Sequence, residues 1–154
     1  MAAGDRARRW YEGGRPGTVA RRFMRLWAFV AGTGIARRRM VTLEVTGRTS
    51  GKVHELPVMV IHQGGERYIG SMLGDDVAWV RNVRAAGGRA TIRAGRRTPV
   101  ILVEIAPALR PPLLKAFLQV APGARPHIPV DKDAPVSAFE AVAAQYPVFR
   151  ITAA

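Results

Sequence analysis

Between Met40 and Ile105 the sequence reads as short strands separated by glycine-rich breaks, and this spacing constrains the fold more than any other feature. Met40–Thr46 alternates, with Val41, Leu43 and Val45 on one face and Thr42, Glu44 and Thr46 on the other. The run Gly47-Arg48-Thr49-Ser50-Gly51-Lys52 forms a tight turn. A second strand over Val53–His62 is apolar on both faces in its middle, which predicts burial on both sides. Gln63-Gly64-Gly65-Glu66 is a hairpin connector, and Arg67–Met72 is the third strand. A helix is predicted over Asp76–Ala86, where Val77, Val80 and Val83 repeat at helical spacing with Trp79 beside them. Asp75 or Asp76 would cap it and Gly87-Gly88 would stop it. Arg89–Ala94 and Thr98–Ile105 then pair about Gly95-Arg96. Hairpins dominate and no βαβ series appears, so the pattern predicts an antiparallel sheet or barrel rather than a Rossmann unit.

The flanks read differently. Residues 1–17 form a flexible basic lead-in broken by Gly13, Gly14, Pro16 and Gly17. Residues 18–31 then follow a helical period, with Val19, Phe23, Leu26, Trp27 and Val30 on one face and Arg21, Arg22 and Arg25 elsewhere. The folded unit is expected to span 18–151 as one domain. On the C-terminal side, Pro107 opens a helix running to Val120, with Leu109, Leu113, Leu114, Phe117 and Leu118 as its apolar side. A proline-rich loop over 121–136, a short helix over Val136–Gln145 and a strand at Val148–Ile151 complete the chain.

Composition excludes several chemistries. The 154 residues include no cysteine, which removes disulfides, thiolate nucleophiles, iron–sulfur ligation and cysteine–zinc sites together. Redox chemistry would therefore need a bound cofactor, and the lack of cysteine fits a cytoplasmic setting. His54, His62 and His127 show no paired metal-ligand spacing, Asp75-Asp76 and Asp131/Asp133 fit no EF-hand loop, and no GxSxG elbow supports a hydrolase. The net charge of +13 is concentrated early, with ten arginines before residue 40 against Asp5 and Glu12. Such an excess raises nucleic acid, an anionic membrane surface or an acidic small molecule as partners, beside the plain reading of an arginine-rich soluble surface. Nucleic acid is disfavoured because aromatic residues do not interleave with the charges. Leu26–Ala36 is far shorter than the ~20 residues a membrane span needs. The helix at 18–31 is thus expected either to cap the barrel or to dock on the inner face of an anionic membrane.

Two segments carry candidate chemistry. The turn 47–52 combines two glycines with Arg48, Thr49, Ser50 and Lys52, the donors a phosphate or carboxylate needs, though a solvated basic hairpin has the same composition. The segment Gly70–Arg84 closes a strand at Gly70-Ser71, where a ligand could approach the backbone, and leads into the helix carrying Trp79, Arg81, Asn82 and Arg84.

In combination these residues resemble a known family. Thr46-Gly47-Arg48-Thr49-Ser50-Gly51-Lys52, Leu56-Pro57-Val58, Gly64-Gly65-Glu66-Arg67-Tyr68 and Trp79-Val80-Arg81-Asn82-Val83-Arg84-Ala85, with the ending Tyr146-Pro147-Val148-Phe149-Arg150-Ile151, resemble the deazaflavin-dependent nitroreductases, also called F420-dependent quinone reductases and common in actinobacteria. The resemblance implies a mainly β, α+β fold: a split β-barrel like that of FMN-binding oxidoreductases, with an N-terminal helix and peripheral helices. It implies an oxidoreductase that passes a hydride from the reduced deazaflavin, coenzyme F420, to a small planar organic acceptor. A quinone leads among acceptors and nitro compounds stay open, as do FMN or haem as the ligand and a homodimer as the assembly. Carried over by position, Arg48, Thr49, Ser50 and Lys52 match the phosphate region, and Ser71 matches a hydroxyl residue near the ring that is a candidate proton donor. Trp79 and Asn82 match the helix motif, and Arg81 and Arg84 are candidate anion contacts. Tyr68 and Tyr146 are candidates for the substrate side. Leu113–His127 has no tyrosine, unlike the nitroimidazole-reducing branch, and Leu73–Ala78 is acidic where that branch carries a lysine.

Overall fold

The structure, a computed structural model, describes residues 11–12, 15–16 and 39–154. The helix expected over 18–31 lies outside the described residues. Within the stretch read as a lead-in, β1 (Tyr11–Glu12) and β2 (Arg15–Pro16) pair as a two-residue antiparallel ladder.

The main sheet is antiparallel throughout and contains β3 (Met40–Thr46), β4 (Val53–Met59), β5 (Ile61–Gln63), β6 (Glu66–Gly70), β7 (Arg89–Ala94), β8 (Arg96–Glu104) and β9 (Val148–Ala153). Its order is β4-β3-β7-β8-β9-β6-β5. β4 and β5 stand at opposite ends of this order, yet only Val60 separates them in sequence. The sheet therefore curls until its two ends are halves of one bent strand. This is the split β-barrel. The single strand expected over Val53–His62 is thus two strands, because β4 takes its partner from β3 and β5 from β6. At the break, the Val60 amide makes the last bond in the β3–β4 register, to the Arg39 carbonyl, and Ile61 then pairs with Tyr68 of β6. Burial also departs from expectation: Val58, Val60 and Ile61 are buried, but Val53–Glu55 are exposed on an edge where Pro57 is tolerated without its amide proton.

The β3 alternation is as the sequence reads: Val41, Leu43 and Val45 join the interior, although Thr42 and Glu44 on the other face are buried too. Helix α1 (Ala78–Ala85) adds Val80 and Val83 to that interior, with Val77 just before it. It starts later than expected and has no side-chain cap, because Asp75 and Asp76 are drawn into ion pairs with Arg84 and Arg81. β6 stops at Gly70 rather than Met72: the Ser71 amide makes one more bond in register, to the Pro147 carbonyl at 2.9 Å, and Pro147 has no amide proton to return it.

A second core lies under helix α2 (Pro111–Val120), which buries Leu113, Leu114, Phe117 and Leu118. The helix expected from Pro107 begins only at Pro111, after a separate 3-10 turn over Pro107–Leu109. Pro111 and Pro112 supply no amide donors to a preceding turn and crowd it, so the α-helix has to start on them. Leu109 is left outside the buried face. The short helix expected over Val136–Gln145 is two 3-10 turns, Val136–Phe139 and Ala143–Gln145, whose tighter winding sends Phe139 and Ala143 into the same core.

Gly70, read as a place where a ligand could reach the backbone, is instead covered by Phe117. A Cβ there would lie 2.9 and 3.0 Å from two of the ring's atoms. Gly70→Ala is expected to cost about 1–3 kcal/mol through overpacking. An unchanged Tm would show that the ring swings aside freely.

Candidate functional site

The turn between β3 and β4 is closed by two backbone bonds, Gly47 N to the Lys52 carbonyl at 2.7 Å and Gly51 N to the Gly47 carbonyl at 3.0 Å. Ser50 Oγ accepts from the Lys52 amide at 3.2 Å. The side chains of Ser50 and His54 fold over Gly47, where a Cβ would meet them at 2.6 and 2.8 Å. Arg48, Thr49, Ser50 and Lys52 are all exposed.

Asn82 fastens this turn to α1. Its Oδ1 accepts from the Arg48 amide at 3.1 Å and from Arg48 Nη1 at 2.8 Å. Both partners can only donate, so the orientation of the buried amide is fixed. The bond to Arg48 costs the guanidinium none of its charge. Neither Arg48 nor Lys52 has a carboxylate partner among the described residues.

Arg81 and Arg84, by contrast, are paired. Arg81 meets Asp76. Arg84 grips Asp75 at 2.6 Å and both oxygens of Glu104 at 3.1 and 2.5 Å. These bonds to Glu104 and Asp75 raise the Arg84 guanidinium above its usual range, and the Arg84 bond holds the Asp75 carboxyl below its own. Trp79 packs on Phe149 with the rings tilted and their centroids 5.7 Å apart.

Ser71 is buried, and its hydroxyl donates to the Gly74 carbonyl at 2.6 Å. Tyr146 donates its phenol proton to the His127 carbonyl at 2.8 Å and belongs to the core under α2. Tyr68, opposite Ile61 and Arg150 in the sheet, packs against that same core. The structure thus joins Arg48 to Asn82, and Ser71 to the segment of Tyr146 and Pro147, while Arg81 and Arg84 are committed to carboxylates.

Sequence reasoning missed Glu104 and Arg110. Arg110 is 4% exposed, and burial lowers its pKa from the usual arginine range. Its donors reach the carbonyls of Ile105 at 2.8 Å and Ala143 at 3.0 Å, and Glu104 at 3.3 Å. Ile105 and Glu104 stand close to it in sequence, but its burial depends on the carbonyls of Ala143 and Ala144, which no local pattern brings near. Among the described residues no group of His, Asp and Glu side chains gathers as a metal site, and no helix is long and apolar enough to cross a membrane.

The family model for F420H2-dependent quinone reductases matches residues 18–137, most of the chain. The chain belongs to that family. It is therefore an oxidoreductase whose cofactor is coenzyme F420, and the FMN and haem alternatives are not favoured. Solved structures agree on the fold. The chain is similar to an F420-H2 dependent reductase, FDR-A, with a TM-score of 0.51 at 22% identity over 74% of this chain and 94% of that one. A structure described as a domain-swapped dimer gives 0.52 at 20% identity, over 86% and 96% of the two chains. A NimC/NimA family protein from Clostridium acetobutylicum gives 0.52 at 11% identity, over 96% and 88%. No curated protein matches the chain.

Proposed function

We propose that the turn 47–52, with Asn82 and Trp79 of α1, holds the phosphate-bearing end of coenzyme F420 and that the acceptor is a quinone. The observation that carries this is the pair of cations on the turn that have no carboxylate partner among the described residues. Among the described residues the Arg48 guanidinium meets only a neutral amide and the Lys52 ammonium no carboxylate, so both keep their charge for an anion. These residues fit an anionic group. A surface groove of about 390 Å³ beside the turn is lined by Thr46, Val53, Arg89, Arg97 and Glu44; Arg93 and Arg97 neutralise Glu44, which leaves Arg89 for the anionic tail of the cofactor. When bound, the reduced deazaflavin supplies a hydride.

What the protein's own hydroxyls do favours a quinone over a nitro group. Ser71 and Tyr146 spend their protons on the backbone carbonyls of Gly74 and His127. Converting a quinone to its hydroquinone needs, besides the hydride, one proton that water can deliver. Reducing a nitro group to nitroso breaks an N–O bond and expels water, which asks for a positioned proton donor. On this reading Ser71 shapes the loop near the acceptor, and Tyr68 and Tyr146 form its apolar wall.

The test is a fluorescence titration of oxidised F420 at low and high salt, followed by oxidation of reduced F420 with menadione and with a nitroimidazole. The Kd is expected to rise with salt, because the contacts are ionic, and menadione to be the faster acceptor. A salt-independent Kd would remove the turn from the site, and a preference for the nitroimidazole would remove the quinone assignment.

A further inference from the structure

Two walls of the proposed site meet at one carboxylate. The first is the loop 71–77, which leads from β6 into α1 and carries Ser71; Arg84 holds it through Asp75. The second is the segment 143–147, which carries Tyr146; Arg110 holds it through the Ala143 and Ala144 carbonyls at 3.0 and 3.4 Å. Glu104, at the end of β8, accepts from both arginines, with Oε1 shared between Arg84 Nη2 at 2.5 Å and Arg110 Nη2 at 3.3 Å. The two walls also touch directly, Ser71 N to the Pro147 carbonyl at 2.9 Å. The four charged groups balance, two carboxylates against two guanidiniums.

We infer that Glu104 is a positioning residue for the reductase reaction: it touches neither cofactor nor acceptor and sets the spacing between the Ser71 loop and the Tyr146 segment through Arg84 and Arg110. Arg84 spends Nε and Nη2 on Glu104 and Asp75 and has its charge balanced by them, which places it in this framework rather than on the cofactor. A carboxylate suits the task because each of its oxygens can accept more than one charge-assisted bond. Glutamine at the same length has one acceptor oxygen and would turn its NH2 toward a guanidinium. One of the two arginines would then lose its anchor.

The inference rests on the site proposed above, and the two fail separately. That site fails on the cofactor Kd of the wild type; this one fails on variants whose cofactor binding is intact. Glu104→Gln is assayed well below its Tm with reduced F420 and menadione. The expected result is an F420 Kd within twofold of wild type and a kcat about tenfold lower. In the protein without cofactor, amide hydrogen exchange should speed up in 71–77 and 143–147 together, while β3 and β4 stay unchanged. Asp75→Asn acts through the same Arg84, so the double variant should lose little more than Glu104→Gln alone. Should Glu104→Gln not fold, Asp75→Asn, at an exposed carboxylate, carries the same comparison with exchange expected to quicken in the 71–77 loop. A wild-type kcat, or exchange that changes at neither wall, overturns the inference.

Discussion

Asn82→Asp is expected to fold with a Tm close to wild type and to bind coenzyme F420 about 100-fold more weakly, which is about 2.7 kcal/mol. The carboxylate would accept the same two bonds from Arg48, at 3.1 and 2.8 Å in the wild type, and charge would strengthen them. The buried position would therefore keep a paired group, and the turn would stay fastened to α1. What changes is the charge offered to the cofactor. A new anion neutralises Arg48 and stands beside the proposed phosphate position. Like charges about 4 Å apart repel by about 4 kcal/mol at an effective dielectric near 20, so a 100-fold loss is within reach. The salt dependence of binding should flatten at the same time. Asn82→Leu gives the contrast: it leaves the Arg48 amide without its partner, so Tm and affinity should fall together. Calorimetric titration and thermal unfolding of the two variants separate charge from scaffold. Wild-type affinity in Asn82→Asp would mean that the phosphate does not sit at this turn.

The parts legible in the sequence were those set by local pattern. The β3 alternation, the valine spacing of α1, the Gly87-Gly88 stop and the glycine-rich turn each depend on neighbours a few residues away. The break at Val60 was hidden because hydropathy runs on through it. What divides the strand is a change of partner, from β3 on one side to β6 on the other. Asp75 and Asp76 stood where helix caps stand, and only the fold shows Arg84 and Arg81 taking them. Glu104 lies 20 residues from Arg84, and Arg110 lies 33 from Ala143, so no window of sequence could pair them. The candidate site divides in the same way. Arg48 and Asn82 were found separately by motif, and their bond across 34 residues turns two motifs into one site.

Gly88→Ala is expected to cost more stability than any surface change in this domain, about 2–5 kcal/mol, and to take cofactor binding with it. The exit of α1 is a left-handed helix stop: the Gly87 amide donates to the Arg84 carbonyl at 3.1 Å and the Gly88 amide to the Val83 carbonyl at 2.9 Å, with φ of 64° and 85°. The two glycines differ in what surrounds them. A Cβ on Gly87 would meet nothing within 4 Å, whereas one on Gly88 would lie 2.5 Å from the Leu102 carbonyl. That carbonyl belongs to β8, which is paired with β7 on one side and β9 on the other, so it has no room to retreat. The Leu102 amide also donates to the Gly88 carbonyl at 2.8 Å, so moving either chain sacrifices this bond. Overpacking of about 1–3 kcal/mol adds to a left-handed strain of about 1–2 kcal/mol. At roughly 2–4 °C per kcal/mol, Tm should fall by about 4–20 °C. Gly87→Asn should lose less than about 1 kcal/mol, because asparagine tolerates the left-handed region and nothing stands in its way. Since α1 carries Asn82 and Trp79, a shifted exit from the helix should also loosen the grip on the 47–52 turn, and F420 affinity should fall in Gly88→Ala but hold in Gly87→Asn. Equal losses of Tm in the two variants would assign the effect to backbone conformation alone and remove the close approach to β8 as the reason for Gly88.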